Sequence, residues 1–434
     1  EIMPSLVGSE MCIRDRCSIV LLDKSGNTAC VIDIPAEYST GSLYSVRLHG
    51  FCGNEYAYYF RINGKRCIDP YATRIFGREK WNDKTRSDNG YEIACGIDSS
   101  DFDWKYDSFP EITRDRMKLY KLHVRGFSMD VSGNKKHKGT FEAVSDRINY
   151  IKKLGFTSIL LMPVYEFEEM TIPVKHDIPE YAKPKYSLKD EQSVHTENDK
   201  VNFWGYTSGN YFAVKASYAS DASDASNELR RLVERLHKNG MECIVEMYFP
   251  DRTDHNLILD ALRYWVMSFH VDGFKLLGDR LPVTAIVQDA LLSRTKILYD
   301  GFDMSVVPQN RTYENLYIDK EEYQFAARMM LNHINCNMYE LLNQQKKQGE
   351  NVGFINYISS NNGFTLSDLF MYNDRHNEAN GEKNADGPSW NFSNNYGCEG
   401  PSRKRFIREI RKLKWKDAML LLFLAQGVPM IWQV

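Results

Sequence analysis

The sequence predicts a (β/α)8 TIM barrel preceded by a small β-sandwich, and three observations carry that prediction. From Cys17 to about Trp104, short alternating stretches are broken by Gly, Asn and Asp, the pattern of an antiparallel β-domain. Beyond about residue 110 the order becomes amphipathic helix, glycine, apolar strand, repeated, which is the grammar of parallel βαβ units. The 434 residues are also too many for one small core, so more than one domain is expected.

The elements follow in chain order. Met3–Arg16 resembles translated sequencing-adapter read-through, so residues 1–16 are set aside as an adapter-derived or disordered leader. Residues 17–105 are read as the small β-sandwich, with strands at Ser18–Leu22, Ala29–Ile34, Leu43–His49 and Tyr56–Ile62. Asn63-Gly64 separates the last of these from Arg66–Ile68 at the spacing of a hairpin turn. The barrel is expected over residues 110–434, with a first strand at Leu119–Phe127. Phe141, Val144, Ile148, Ile151 and Leu154 recur at helical spacing, stop at Gly155 and lead into a strand at Ser158–Val164. Leu229, Leu232, Val233 and Leu236 repeat the unit, stopping at Gly240 before Glu242–Phe249. Leu259, Leu262, Trp265, Val266 and Phe269 form a third copy, feeding Gly273–Leu277. Further strands fit at Lys296–Tyr299, Leu316–Ile318, Gly353–Ser359 and Val428–Trp432, which brings the barrel to eight.

Composition narrows the function. A formal net charge of −3 argues against a nucleic-acid binder, which needs concentrated Lys and Arg. No apolar run reaches the length of a membrane span, and no basic-then-apolar signal opens the chain. The nine cysteines are scattered without paired spacing, which suits reduced thiols and a cytoplasmic setting. Neither a phosphate-binding glycine loop nor an HExxH or paired-Cys pattern is present, so no cofactor and no metal are expected. The 26 tyrosines supply faces on which sugar rings stack, though aromatics are equally good core filler.

The most specific stretch is Phe354–Pro401. It runs Ile355-Asn356-Tyr357-Ile358, then Asn361-Asn362-Gly363-Phe364-Thr365-Leu366, and later Tyr372, Asn373, His376, Asn377, Ala379, Asn380, Gly381 and Glu382. This segment resembles the seventh-strand region of isoamylase-type glycogen debranching enzymes, in the alpha-amylase superfamily of glycoside hydrolases. Asp69-Pro70-Tyr71-Ala72 resembles the tetrapeptide that ends the family's carbohydrate-binding sandwich. The resemblance implies an eighth strand at Gly427-Val428-Pro429-Met430, with a last helix and a C-terminal β-domain expected beyond the truncation at Val434.

The resemblance also implies three catalytic carboxylates, and the chain departs from each. Where the family's fourth strand reads Asp-Gly-Phe-Arg-x-Asp, ending on the nucleophile, this chain reads Asp272-Gly273-Phe274-Lys275-Leu276-Leu277. Leu277 has no lone pair to attack an anomeric carbon. Lys275 keeps a charge without the planar fork of Arg. The fifth-strand acid position holds Asp300, one methylene shorter than Glu, and a misplacement of about 1 Å costs on the order of a hundredfold. The family's His-Asp pair has become Asn361-Asn362. The third-strand motif is replaced by Glu246-Met247-Tyr248-Phe249-Pro250-Asp251, and Lys121 stands where a Glu is usual.

Some sugar-facing residues are retained by the same resemblance. Asn202-Phe203-Trp204-Gly205-Tyr206 is similar to a family motif whose last Tyr stacks on the ring at the cleavage subsite. Trp204 and Tyr206 are therefore expected to bind substrate, with Lys275, Asn361, Asn362, His376 and Asn377, while loop packing is the alternative role for the aromatics and the Asn-rich run. His123 and Arg125 are expected to hydrogen-bond at the barrel bottom. The expectation is an α-glucan-binding protein of glycogen or starch metabolism, without intact catalysis, or a partner of an active debranching homologue. Two alternatives stay open: a hydrolase of α-1,6 bonds working through Asp300 and Asp279, and a structural subunit with a collapsed cleft.

Overall fold

A computed structural model describes residues 17–40, 43–49, 55–87, 92–129, 137–170, 201–302, 313–349, 351–380, 384–388 and 390–433. The leader, Gly381, Glu382 and Val434 lie outside the described residues. The chain divides into two compact units, one of residues 1–98 and 167–205, the other of residues 99–166 and 206–434. Residues 167–205, placed within the barrel region from the sequence, cluster with the first unit instead.

The first unit is built on a six-stranded antiparallel sheet. Cys17–Leu22 lies between Thr28–Ile34 and Ala57–Ile62, and the sheet continues through Ala94–Gly96 to Arg74–Phe76. Lys65–Cys67 folds back on Ala57–Ile62 through Asn63 and Gly64, both at positive φ, as a two-residue hairpin requires. The expected strand at 43–49 shrinks to Leu43–Tyr44, paired with Ser39–Thr40. Val20, Leu22, Tyr59 and Ala94 make the core beneath the sheet. In the Asp-Pro-Tyr-Ala segment, Asp69 accepts bonds from Tyr71 N (2.9 Å) and the Tyr58 hydroxyl (2.8 Å), so the tetrapeptide is a pinned turn.

The second unit contains a closed barrel of eight parallel strands. In barrel order these are Leu119–Leu122, Ser158–Leu161, Glu242–Tyr248, Gly273–Leu277, Lys296–Leu298, Leu316–Asp319, Gly353–Asn356 and Val428–Trp432, the last pairing with the first. The first strand ends earlier than expected. His123 accepts a bond from Gly126 N on its Nδ1 (3.0 Å), and its carbonyl accepts from Phe127 N, turning the chain into a helix at Val124–Met129. The ring lies just beyond the strand's C-terminal end, so the expected barrel-bottom role is corrected for His123. The predicted helix over 141–154 breaks into Phe141–Asp146 and Ile148–Lys153 at Arg147, whose φ of −102° and ψ of 5° leave the helical region.

Ala225–Lys238 leads into the third strand and His255–Phe269 into the fourth. The second of these starts on Asp254, whose carboxylate accepts from Asn256 N and Leu257 N, and ends on His270 in the left-handed region, where a glycine would be usual. Trp265 is fully buried and donates its indole N–H to Tyr211 O at 2.6 Å. Inside the barrel Leu119, Leu160, Ile244, Leu298, Tyr317, Ile355 and Met430 interdigitate in one apolar cluster. Below it Glu242 accepts from Ser158 Oγ (2.9 Å) and Ile112 N (2.8 Å) and pairs with Lys296, closing the N-terminal end.

Candidate functional site

Side chains alternate along a strand, so a step of two residues beyond the apolar layer gives the next inward-facing set. From Leu119, Ile244, Gly273 and Tyr317 that step reaches Lys121, Glu246, Lys275 and Asp319. The floor of the C-terminal mouth is therefore made of two cations and two anions. Lys121 Nζ lies 2.6 Å from Glu246 Oε1, and the two side chains are 5% and 0% exposed. Lys275 Nζ pairs with Asp319 Oδ2, each side chain 8% exposed.

The electrostatics follow from this pairing. Burial pulls the Lys121 ammonium below its ordinary range, with Glu246 opposing and the Lys275 charge adding to the fall. At Lys275 burial acts in the same direction, but Asp319, Glu246 and Asp300 outweigh it and the group is raised. Burial, then the Glu246 carboxylate, lifts the Tyr206 phenol well above its usual value. The Asp300 carboxyl is raised by desolvation first and by Asp319 second. Its Oδ1 accepts the backbone N–H of Asp319 at 3.0 Å.

Of the sequence-predicted residues, the barrel mouth brings together Lys275, Asp300, Tyr206 and Asn361. Tyr206 donates to Glu246 Oε2 at 2.8 Å and accepts from Asn361 Nδ2 at 3.2 Å, while Asn361 Oδ1 accepts from Lys121 Nζ at 2.8 Å. Leu277 ends the fourth strand, its carbonyl accepting Phe249 N at 2.9 Å. Asn362 is exposed, and its backbone N–H donates to Ser360 Oγ. Trp204 belongs to the first unit, where it is 36% exposed and meets Phe203 edge-on.

His376 and Asn377 are engaged within their own loop. The His376 ring and Glu399 Oε1 are 3.0 Å apart, and the same carboxylate accepts Asn373 N (3.0 Å), Asp374 N and Asn395 Nδ2 (2.8 Å). Partial desolvation works against this carboxylate, but the donors prevail and hold it down at about 2. Asn377 donates twice, from its side-chain amide to Asp386 O at 3.0 Å and from its backbone N–H to Asn384 Oδ1 at 2.8 Å. The Asn-rich run thus folds a long connection after the seventh strand. Glu246, Asp319 and the partnership of Lys121 were missed in the sequence. The available signal was the period of two from Ile244 and Tyr317.

Retaining glycosidases need one ionised carboxylate free to attack and one protonated carboxyl to donate. Here Glu246 and Asp319, the inward-facing acids of the mouth, are each held by an ammonium. Asp300, with its raised carboxyl, has the character of a proton donor. Among the described residues no cluster of His, Cys, Asp and Glu has the geometry to hold a metal ion, and no helix is long and apolar enough to cross a membrane.

Comparison with known proteins agrees with this architecture. The alpha-amylase catalytic-domain family matches residues 131–255. The chain is 26% identical to chloroplastic isoamylase 1 of Arabidopsis thaliana, covering 90% of this chain and 60% of that protein. It is 25% identical to the glycogen debranching enzyme of Enterobacter sp. (strain 638), covering 96% and 73%. The chain thus spans about three fifths of the length of the plant isoamylases it matches. Among solved structures, the catalytic module of the glycogen-degrading pneumococcal virulence factor SpuA superposes with a TM-score of 0.62 at 19% identity, over 99% of this chain and 66% of that one. The Group B Streptococcus pullulanase SAP in complex with maltotetraose gives 0.63 at 17%, over 99% and 60%.

Proposed function

We propose that this chain, a relative of the isoamylase-type debranching enzymes in the alpha-amylase superfamily, binds α-glucan at its barrel mouth without hydrolysing it. The observation that carries the proposal is the pairing of the mouth's inward acids, Glu246 with Lys121 and Asp319 with Lys275, beside a leucine at position 277. A carboxylate bonded to a buried ammonium is a weak nucleophile and has no proton to give. Tyr206, half-buried and held at the mouth by its hydroxyl, is the aromatic that would meet a sugar face, a contact worth on the order of 1 kcal/mol. The maltotetraose complex of the streptococcal pullulanase supports glucan as the ligand class. Action beside an active debranching homologue, in the cytoplasm, is the role that fits a non-hydrolytic glucan binder; the described cysteines stand as free thiols.

One observation favours a second reading. The raised Asp300 carboxyl suits a general acid, and Asp279 lies two residues past the fourth strand, so an α-1,6 hydrolase using this pair is the alternative. Reducing-sugar release from glycogen and pullulan, with calorimetric titration by maltoheptaose, separates the two. We expect binding with no release, and release above background only after Leu277→Asp, Asp300→Glu and Asn362→Asp are combined. Release by the unmodified protein that disappears in Asp300→Asn establishes the hydrolase. Neither binding nor release leaves a structural subunit.

A further inference from the structure

Four side chains at the barrel mouth close a ring of three hydrogen bonds and one ion pair. Lys121 Nζ is ion-paired with Glu246 Oε1 (2.6 Å) and donates to Asn361 Oδ1 (2.8 Å). Asn361 Nδ2 donates to the Tyr206 hydroxyl (3.2 Å), and that hydroxyl donates to Glu246 Oε2 (2.8 Å). Every proton in the circuit has one direction. Asn361 is the only member whose two ends differ, accepting from a cation on one side and donating to a phenol on the other. An aspartate there would set an oxygen lone pair against a hydroxyl whose single proton already points at Glu246. A glutamate at 121 would remove the cation and leave Glu246 buried beside a second carboxylate.

We infer that Lys121, Glu246 and Asn361 are positioning residues that lock Tyr206 as a stacking platform for one glucose ring. The inference rests on the glucan-binding function proposed above and specifies how that site recognises its ligand. The phenol proton is committed to Glu246, so Tyr206 offers the sugar its ring face and not a hydroxyl donor. Lys121 and Glu246 are 5% and 0% exposed as side chains, so they act through Tyr206 and do not touch the ligand. Lys121 and Asn361, two of the residues that depart from the debranching pattern, are thus a matched pair.

The ring can be reversed without changing its shape. With Glu246→Gln and Asn361→Asp together, the new amide on the third strand donates to the phenol. The phenol then donates to the new carboxylate after the seventh strand, and Lys121 donates to the one remaining oxygen on each. The heavy-atom positions and the net charge are those of the original. Each single change leaves one bond without a proton or one proton without an acceptor.

The four proteins (unmodified, Glu246→Gln, Asn361→Asp and the double variant) are titrated with maltoheptaose and melted in its absence. Each single variant is expected to bind roughly tenfold more weakly and to melt lower, and the double variant to return within about twofold of the original. Loss of a bulky group or general unfolding does not produce such a return, because no variant changes the packing volume. Equal affinity in all four, or a double variant weaker than either single one, overturns the inference. If the unmodified protein binds no maltoheptaose, the glucan-binding function fails and the platform with it. The melting pattern then tests the ring alone.

Discussion

Removing the Lys275 ammonium tests the electrostatics of the mouth most directly. In Lys275→Met the volume is nearly kept, while Asp319 loses its partner at a point where each side chain was 8% exposed. Breaking a buried pair from one side costs about 3–5 kcal/mol, since the remaining charge has neither partner nor water. A second argument sets a ceiling. The orphaned carboxylate escapes by taking a proton, and protonating an ordinary aspartate at pH 7 costs about 4 kcal/mol, from its usual value near 3.9. The expected loss at pH 7 is therefore about 3–4 kcal/mol. The sign of the pH dependence follows. A carboxyl raised in the folded variant is penalised only where it must ionise, so the deficit is absent below the unfolded value and grows as pH rises. It should fall by up to about 1.4 kcal/mol for each unit below pH 7, leaving at most about 1.5 kcal/mol at pH 5. Urea unfolding followed by fluorescence at both pH values measures it. Adding Asp319→Asn should remove most of the deficit and its pH dependence. A loss under about 1 kcal/mol at pH 7, or one equal at pH 7 and 5, refutes a buried and dry pair.

Trp265→Ala should cost about 3–5 kcal/mol in the same unfolding assay, because a fully buried indole leaves both a cavity and an unpartnered Tyr211 carbonyl. Glu399→Gln should expose the loop between Tyr372 and Gly400 to limited proteolysis, with little change in global unfolding. In the unmodified protein the Glu399 carboxyl is depressed to about 2, so its contribution is present above about pH 4.5 and is lost as pH falls through 2. Loop protection measured by hydrogen exchange should follow that window. Asp300→Asn should stabilise the fold slightly at pH 7, by under about 1 kcal/mol, because the carboxyl is raised in the fold and must ionise there. That gain, read as a higher melting temperature, should vanish as pH drops below the carboxylate range.

The fold was legible where one local signal dominated. Gly273–Leu277 and Val428–Trp432 occur at the predicted bounds, since each is a short apolar run entered from a loop. Leu119–Phe127 overran because His123 to Phe127 satisfies strand alternation and helix spacing alike, and a side-chain bond from Gly126 to His123 decides between them. The helix over 141–154 looked continuous because its apolar period passes through Arg147 unchanged; the break is in the backbone alone. At the site, the positions of Lys275, Asp300 and Asn361 were available from the resemblance. Their partners were not. The bond from Lys121 to Asn361 spans 240 residues of chain, and nothing local at either end announces it.

The pairing changes what the substituted motifs mean. Had the barrel mouth only lost carboxylates, Lys121 and Lys275 would be two buried cations without counterions, and each would cost several kcal/mol. Instead Glu246 meets the first and Asp319 the second, Asn361 supplies the acceptor Lys121 still needs, and Tyr206 takes the other Glu246 oxygen. These residues come from the first, third, fourth and sixth strands, from the segment before Gly209 and from the loop after the seventh strand. An interior polar network of this kind rigidifies what it touches, because moving any member strands another. A catalytic mouth needs a carboxylate held ready and uncompensated. A binding mouth needs a fixed surface, and the glucan site proposed above would find one in neutralised charge beside the hydrogen-bonded Tyr206. Lys121, Lys275 and Asn361, three positions that depart from the debranching pattern, are all members of that floor.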